Sequence, residues 1–125
     1  MAADTSIADA EVAVVGAGAA GLYAALTAAR AGARVILVSA TPLAQTASYW
    51  AQGGLAAALA FDDSPDLHRE DTERAGRGIV RRSAAQLLCR EAPRAVRELE
   101  NLGVRFDHDA HGDLALGLEG GHSRW

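Results

Sequence analysis

The chain has 125 residues, half of them hydrophobic and 22% charged, which fits one ordinary domain and excludes bulk disorder. Its formal net charge is −4 and all 12 cations are arginine, so the basic footprint of a nucleic-acid binder is missing. One cysteine excludes an internal disulfide and points to a reducing, cytoplasmic setting; the N-terminus lacks secretory-leader character, and the apolar run 55–61 falls far short of the ~20 residues of a membrane span.

Residues 1–10 read as a polar, disordered lead. Glu11 to Val15 is a short, largely β-branched run of the kind expected for a buried strand. Gly16-Ala17-Gly18-Ala19-Ala20-Gly21 follows at once, and Leu22 to Ala31 then reads as a helix that Gly32 stops. Arg34 to Val38 is a second apolar strand, so the opening forms a parallel βαβ unit.

Thr41 to Gly54 has no clear period and reads as a long loop, while Leu55 to Phe61 fits either a helical turn or a short strand. Ser64-Pro65 has the form of an N-cap followed by proline at the first helical position, opening a polar helix to about Ala75. Ser83 to Gln86 fits a capping box, and Pro93 is expected to begin a new helical segment. Leu88, Ala92, Ala95, Val96, Leu99 and Leu102 recur at threes and fours as one apolar stripe, and Gly103 closes that helix. Val104 to Phe106 reads as a strand, Asp107 to Asp113 as a polar turn, and Leu114 to Leu118 as a possible antiparallel return.

Gly16, Gly18 and Gly21 form G-x-G-x-x-G directly after a strand and at the opening of a helix, the context in which the pattern signals dinucleotide binding. The first glycine permits a tight turn, the second lets a pyrophosphate approach the backbone, and the third lets helix and strand pack closely. The helix N-terminus then offers free amides and partial positive charge to the phosphates. Nicotinamide and flavin folds usually carry an acid at the end of the second strand, yet no acidic residue lies between Glu11 and Asp62, which argues against a standard NAD site without selecting FAD. The ribose is therefore left to the Ser39 hydroxyl or to backbone. Ala47-Ser48-Tyr49-Trp50-Ala51-Gln52-Gly53-Gly54 is a loop of small residues, hydroxyl, amide and paired glycines, able to run against a flat ring system or to be an ordinary loop.

Taken with the cradle, several stretches resemble the succinate dehydrogenase and fumarate reductase flavoprotein superfamily, and within it the L-aspartate oxidase branch. They are Val14 to Leu22, the Ala-Gln-Gly-Gly run at 51–54, His68-Arg-Glu-Asp-Thr72 with Ala75-Gly76, Glu91 to Val96, Leu102-Gly-Val104 with Phe106, and Glu119-Gly-Gly-His-Ser123. In the succinate-oxidising branch a histidine just upstream of the Gln-Gly-Gly run carries FAD covalently, and the matching position here is Ala47. The Gly-Gly-His-Ser run also resembles aspartate oxidases. A lysine common after the serine that ends the second strand is replaced by Ala40.

The resemblance implies an α/β fold of the GR2 flavoprotein type. An incomplete Rossmann-like FAD-binding domain over 11–125 would hold the βαβ unit, a mostly helical segment and a short β-turn-β stretch. The remaining FAD-binding, capping and C-terminal helical parts would be absent, and a truncated chain is expected to lack turnover and to be unstable alone. FAD would be held noncovalently by Gly16 to Gly21, Ser39 and Ala47 to Gly54. Activity would be the oxidation of L-aspartate to iminoaspartate with oxygen or fumarate as acceptor, the first step of quinolinate and NAD synthesis, with a functional link to quinolinate synthase. The other readings are a succinate dehydrogenase or fumarate reductase flavoprotein and a non-catalytic nucleotide-binding piece. Glu119 matches the family's acidic residue that meets the substrate amino group.

No catalytic residue is assigned, since no plausible base has an electrophilic partner here. No metal is expected from Asp107, His108, Asp109, His111 and Asp113, which crowd a glycine-containing turn. His68 and Asp71, three apart on a helix, are positioned to hydrogen-bond each other in a packing role. Cys89 reads as a small hydrophobe.

Overall fold

The computed structural model describes residues 9–51 and 53–125, which divide into two compact units, one ending at Gly53 and the other running from Gly54 to Trp125. The expected disordered lead, apart from Asp9 and Ala10, lies outside the described residues.

The first unit is the βαβ element. Strands β1 (Val12–Val15) and β2 (Val35–Val38) pair in parallel, Val12 beside Val35 and Val15 beside Val38. Two further backbone bonds extend the ladder, Glu11 N–H to the Arg34 carbonyl and Gly16 N–H to the Val38 carbonyl, both 2.8 Å. Helix α1 (Ala19–Arg30) starts three residues before Leu22, because Gly18 already acts as its N-cap with extended backbone. The small alanines that follow are strong helix formers, so half of the glycine run belongs to the helix. At the other end Gly32 takes φ +92°, and bonds from Gly32 N–H to the Ala29 carbonyl and from Ala33 N–H to the Ala28 carbonyl close the last turn.

The second unit is built on α2 (Pro65–Ala75) and α3 (Arg82–Asn101), packed against each other. Residues 55–61 form no regular element, although Ala58 is buried. Ser64 caps α2 as expected, its hydroxyl accepting the Leu67 amide at 3.2 Å with Pro65 at the first helical position. Ser64→Ala is expected to lower stability by about 1 kcal/mol, measured as a shift of the urea midpoint with an unchanged slope.

Helix α3 departs from expectation at three places. Its N-cap is Arg81, without a side-chain cap bond, and Ser83 lies inside the first turn, where its hydroxyl accepts from Arg81 Nε at 3.2 Å. The capping box is therefore not formed. Pro93 sits within one continuous 20-residue helix. A proline there removes an amide-to-carbonyl bond, and α3 continues past it with Val96 buried beyond the proline as Cys89 is before it. The buried face is Ala85, Cys89 and Val96, whereas Leu88 is 60% and Leu102 is 42% exposed. Small side chains let α3 approach α2 closely, with Cys89 Sγ 4.0 Å from Thr72 Oγ1, so the seam follows size rather than hydropathy. Gly103, at φ +96°, ends the helix with the bond pattern seen after α1, Val104 N–H to the Leu99 carbonyl and Gly103 N–H to the Glu100 carbonyl.

The expected strands at 104–106 and 114–118 are reduced to one antiparallel bridge, His108 with Leu114. The Asp109 carboxylate draws the intervening residues into a compact turn by accepting the amides of His111 at 2.8 Å and Asp113 at 3.1 Å. Two such short segments with no sheet face to cover do not sustain a longer ladder.

Candidate functional site

In the first unit the glycine run forms a cradle whose three glycines do different work. Gly16 leaves β1 at φ +107°, pinned by its bond to the Val38 carbonyl, and a Cβ there would meet nothing within 4 Å. The space before the turn is open. At Gly21 a Cβ would lie 1.8 Å from the Gly16 carbonyl oxygen and 2.9 Å from its carbon, so only glycine lets the first turn of α1 rest on the end of β1. A Cβ on Gly18 would approach Ser48 Oγ to 3.1 Å.

That serine comes from the loop after β2. Its hydroxyl accepts the Ala19 amide at 3.0 Å, so it supplies the helix cap that Gly18 cannot. A short 3₁₀ turn, Leu43–Gln45, starts the loop; Thr46 Oγ1 donates to the Leu43 carbonyl at 2.9 Å, and Trp50 Nε1 donates to the Ala44 carbonyl at 2.8 Å. Tyr49 and Trp50 stand edge to face at 5.4 Å and are both largely exposed. The structure thus joins Ser48 to the Gly16–Gly21 turn, with Ala47 exposed on the same loop. Ser39 follows Val38 at the end of β2, exposed, with its hydroxyl donating to the Thr41 carbonyl at 2.6 Å. Ala51, Gly53 and Gly54 are exposed, and Gln52 lies outside the described residues.

These residues suit a dinucleotide diphosphate. The first turn of α1 has no acidic side chain to repel an anion, its leading amides have no partner within the helix, and the glycine face is open.

Glu119 belongs to the second unit, in a turn where His122 N–H bonds the Glu119 carbonyl at 3.1 Å. This turn lies on α2 through groups that the spacing of His68 and Asp71 singled out without revealing their partners. The two do not bond each other. Asp71, 4% exposed, takes the Ser123 amide on Oδ2 at 2.6 Å and the Arg74 guanidinium on Oδ1. Burial is the largest influence on its carboxyl and pushes the pKa up, but the Ser123 and Arg74 hydrogen bonds and the Arg74 charge together hold it below the ordinary value. His68, 5% exposed, faces His122 edge-on at 4.7 Å, and its Nδ1 has no hydrogen-bond partner among the described residues. Burial first, and the neighbouring His122 second, lower its pKa against the opposing pull of Asp63 and Asp71.

Cys89 is fully buried, and burial raises its thiol pKa, the opposite of an activated nucleophile. Among the described residues no group of three or more His, Cys, Asp or Glu is placed to hold a metal ion. No helix among them is long and apolar enough to cross a membrane.

A family model described as FAD binding domain matches residues 11–125. An L-aspartate oxidase of Nostoc sp. is 52% identical over 115 residues, 91% of this chain and 19% of that protein. One of Caulobacter vibrioides is 53% identical over 112 residues, 88% of this chain and 22% of that protein. Among solved structures, Mycobacterium smegmatis Sdh1 in complex with UQ1 superposes with a TM-score of 0.86 at 36% identity, over 92% of this chain and 20% of that one. The chain thus spans about a fifth of the length of the relatives it matches.

Proposed function

The chain belongs to the FAD-binding-domain family, and from that premise we propose that its cradle holds FAD for the oxidation of L-aspartate to iminoaspartate. The observation that carries this reading is identity of 52–53% to L-aspartate oxidases over about nine-tenths of the chain, against 36% to Mycobacterium smegmatis Sdh1.

When bound, FAD supplies a two-electron acceptor for the hydride on the substrate Cα. The chain's own residues supply binding and orientation. The Gly16–Gly21 turn and the leading amides of α1 take the diphosphate, Ser39 or its backbone the ribose, and the 47–54 loop lies along the cofactor. The Ala47 methyl offers no nucleophile, so the cofactor is held without a covalent bond. Glu119 meets the substrate ammonium, because a charge-assisted hydrogen bond between carboxylate and ammonium is strong and directional in a water-poor site. That contact favours an amino dicarboxylate over a plain one. Oxygen or fumarate takes the electrons, in the cytoplasm, and the iminoaspartate passes to quinolinate synthase on the route to NAD.

The test is anaerobic reduction of the flavin-loaded protein. L-Aspartate is expected to bleach the flavin absorbance and succinate to leave it. Bleaching by succinate alone would move the assignment to the succinate dehydrogenase and fumarate reductase side. Acid treatment is expected to release free flavin.

A further inference from the structure

We propose that Asp71 is a positioning residue for Glu119, and through it for the choice between an amino dicarboxylate and a plain dicarboxylate. This rests on the reading above that Glu119 meets the substrate ammonium.

The turn that carries Glu119 has no regular secondary structure of its own. Its place is set by three contacts with one face of α2, at His68, Asp71 and Ala75, which follow the helical spacing of three and four. His122 stacks edge-on to His68 at 4.7 Å. The Ser123 amide donates to Asp71 Oδ2 at 2.6 Å, across 52 residues of sequence. Gly121, at φ +90°, lies so near the helix that a Cβ would come within 3.3 Å of Ala75 Cβ.

Of the three, the Asp71 bond is the directional one. The carboxylate is buried, its other oxygen is engaged by Arg74, and the amide it accepts fixes the backbone four residues after Glu119. The anchors begin only two residues beyond Glu119, so they fix the backbone from which its exposed side chain extends. Loosening the Asp71 bond therefore displaces the one group that distinguishes an ammonium from a hydrogen on the ligand.

The experiment measures binding of L-aspartate and of succinate to the flavin-loaded protein by perturbation of the flavin spectrum. E119Q is expected to weaken L-aspartate by about tenfold or more, leaving succinate unchanged. D71N, which removes the charge while keeping an acceptor and most of the volume, is expected to weaken L-aspartate severalfold without altering succinate or flavin retention. In the double variant the two effects should not add, because both act through the same carboxylate. G121A strains the same turn against the same face of α2 and should reproduce the selective loss, and it carries the test if D71N does not fold. Equal weakening of both ligands by D71N or G121A, or full additivity with E119Q, would overturn the positioning role. If E119Q leaves L-aspartate affinity unchanged, the assignment of Glu119 falls first and the proposal with it, a result readable without the other variants.

Discussion

Gly21→Ala is expected to remove most FAD binding while leaving the helical content of the chain largely in place. The added Cβ would sit 1.8 Å from the Gly16 carbonyl oxygen, a backbone atom that cannot turn aside as a side chain would. Relief requires α1 to lift from the end of β1, and forcing one carbon into a packed contact costs about 1–3 kcal/mol, roughly 5- to 150-fold in affinity if the strain is relieved by opening the cradle. Two other glycines separate collision from conformation. Gly16→Ala has open space but φ +107°, so its loss is purely one of backbone strain and should be the smaller effect. Gly53→Ala, in the loop that lies along the cofactor, meets neither a clash nor positive φ and is expected to weaken FAD least of the three. Flavin fluorescence titration of the three variants, with circular dichroism as the control for folding, checks the order. Unchanged affinity in Gly21→Ala would mean that the diphosphate does not rest on this turn.

That glycine triplet was legible in the sequence because each position answers to a local rule: a strand end, a helix start and a close approach. The Ser64-Pro65 cap, Gly32 and Gly103 were legible for the same reason, since a capping hydroxyl or a left-handed turn depends on a few neighbouring residues. The features that were misread depend on what lies across the chain. Leu88 satisfies a helical stripe as well as Cys89 does, yet only the small residue fits against Thr72. Pro93 is a helix breaker by local rule and yet stays inside α3, which has buried residues on both sides of it, Cys89 and Val96. The hydroxyl that caps α1 comes from Ser48, 29 residues downstream of Ala19, and the amide that Asp71 receives comes from Ser123. Neither link has a periodicity or spacing signature. Family resemblance singled out Glu119, but the face of α2 that holds its turn emerged only from the fold.

The second unit is expected to lose stability to acid in two separable stages. Burial, reinforced by His122, holds the pKa of His68 below its ordinary value, and the nearby Asp63 and Asp71 oppose this without reversing it. The folded state therefore binds fewer protons here than the unfolded chain, and stability falls as the pH drops below about 6.5 toward the lowered folded value. Asp71 behaves with the sign of a paired carboxylate. Its folded pKa is depressed, so its contribution is fully present above the unfolded carboxylate value near 4 and is lost as the pH falls through the folded one. Urea midpoints followed by helical circular dichroism from pH 8 to 3 should show both declines. His68→Phe keeps a flat ring against His122 while removing the titration and the unpartnered Nδ1, so the decline below pH 6.5 should flatten with little loss at pH 7. Asp71→Asn should deepen that first decline, because the Asp71 charge that opposes it is gone, and weaken the second. A first stage that persists unchanged in His68→Phe would overturn its assignment to His68.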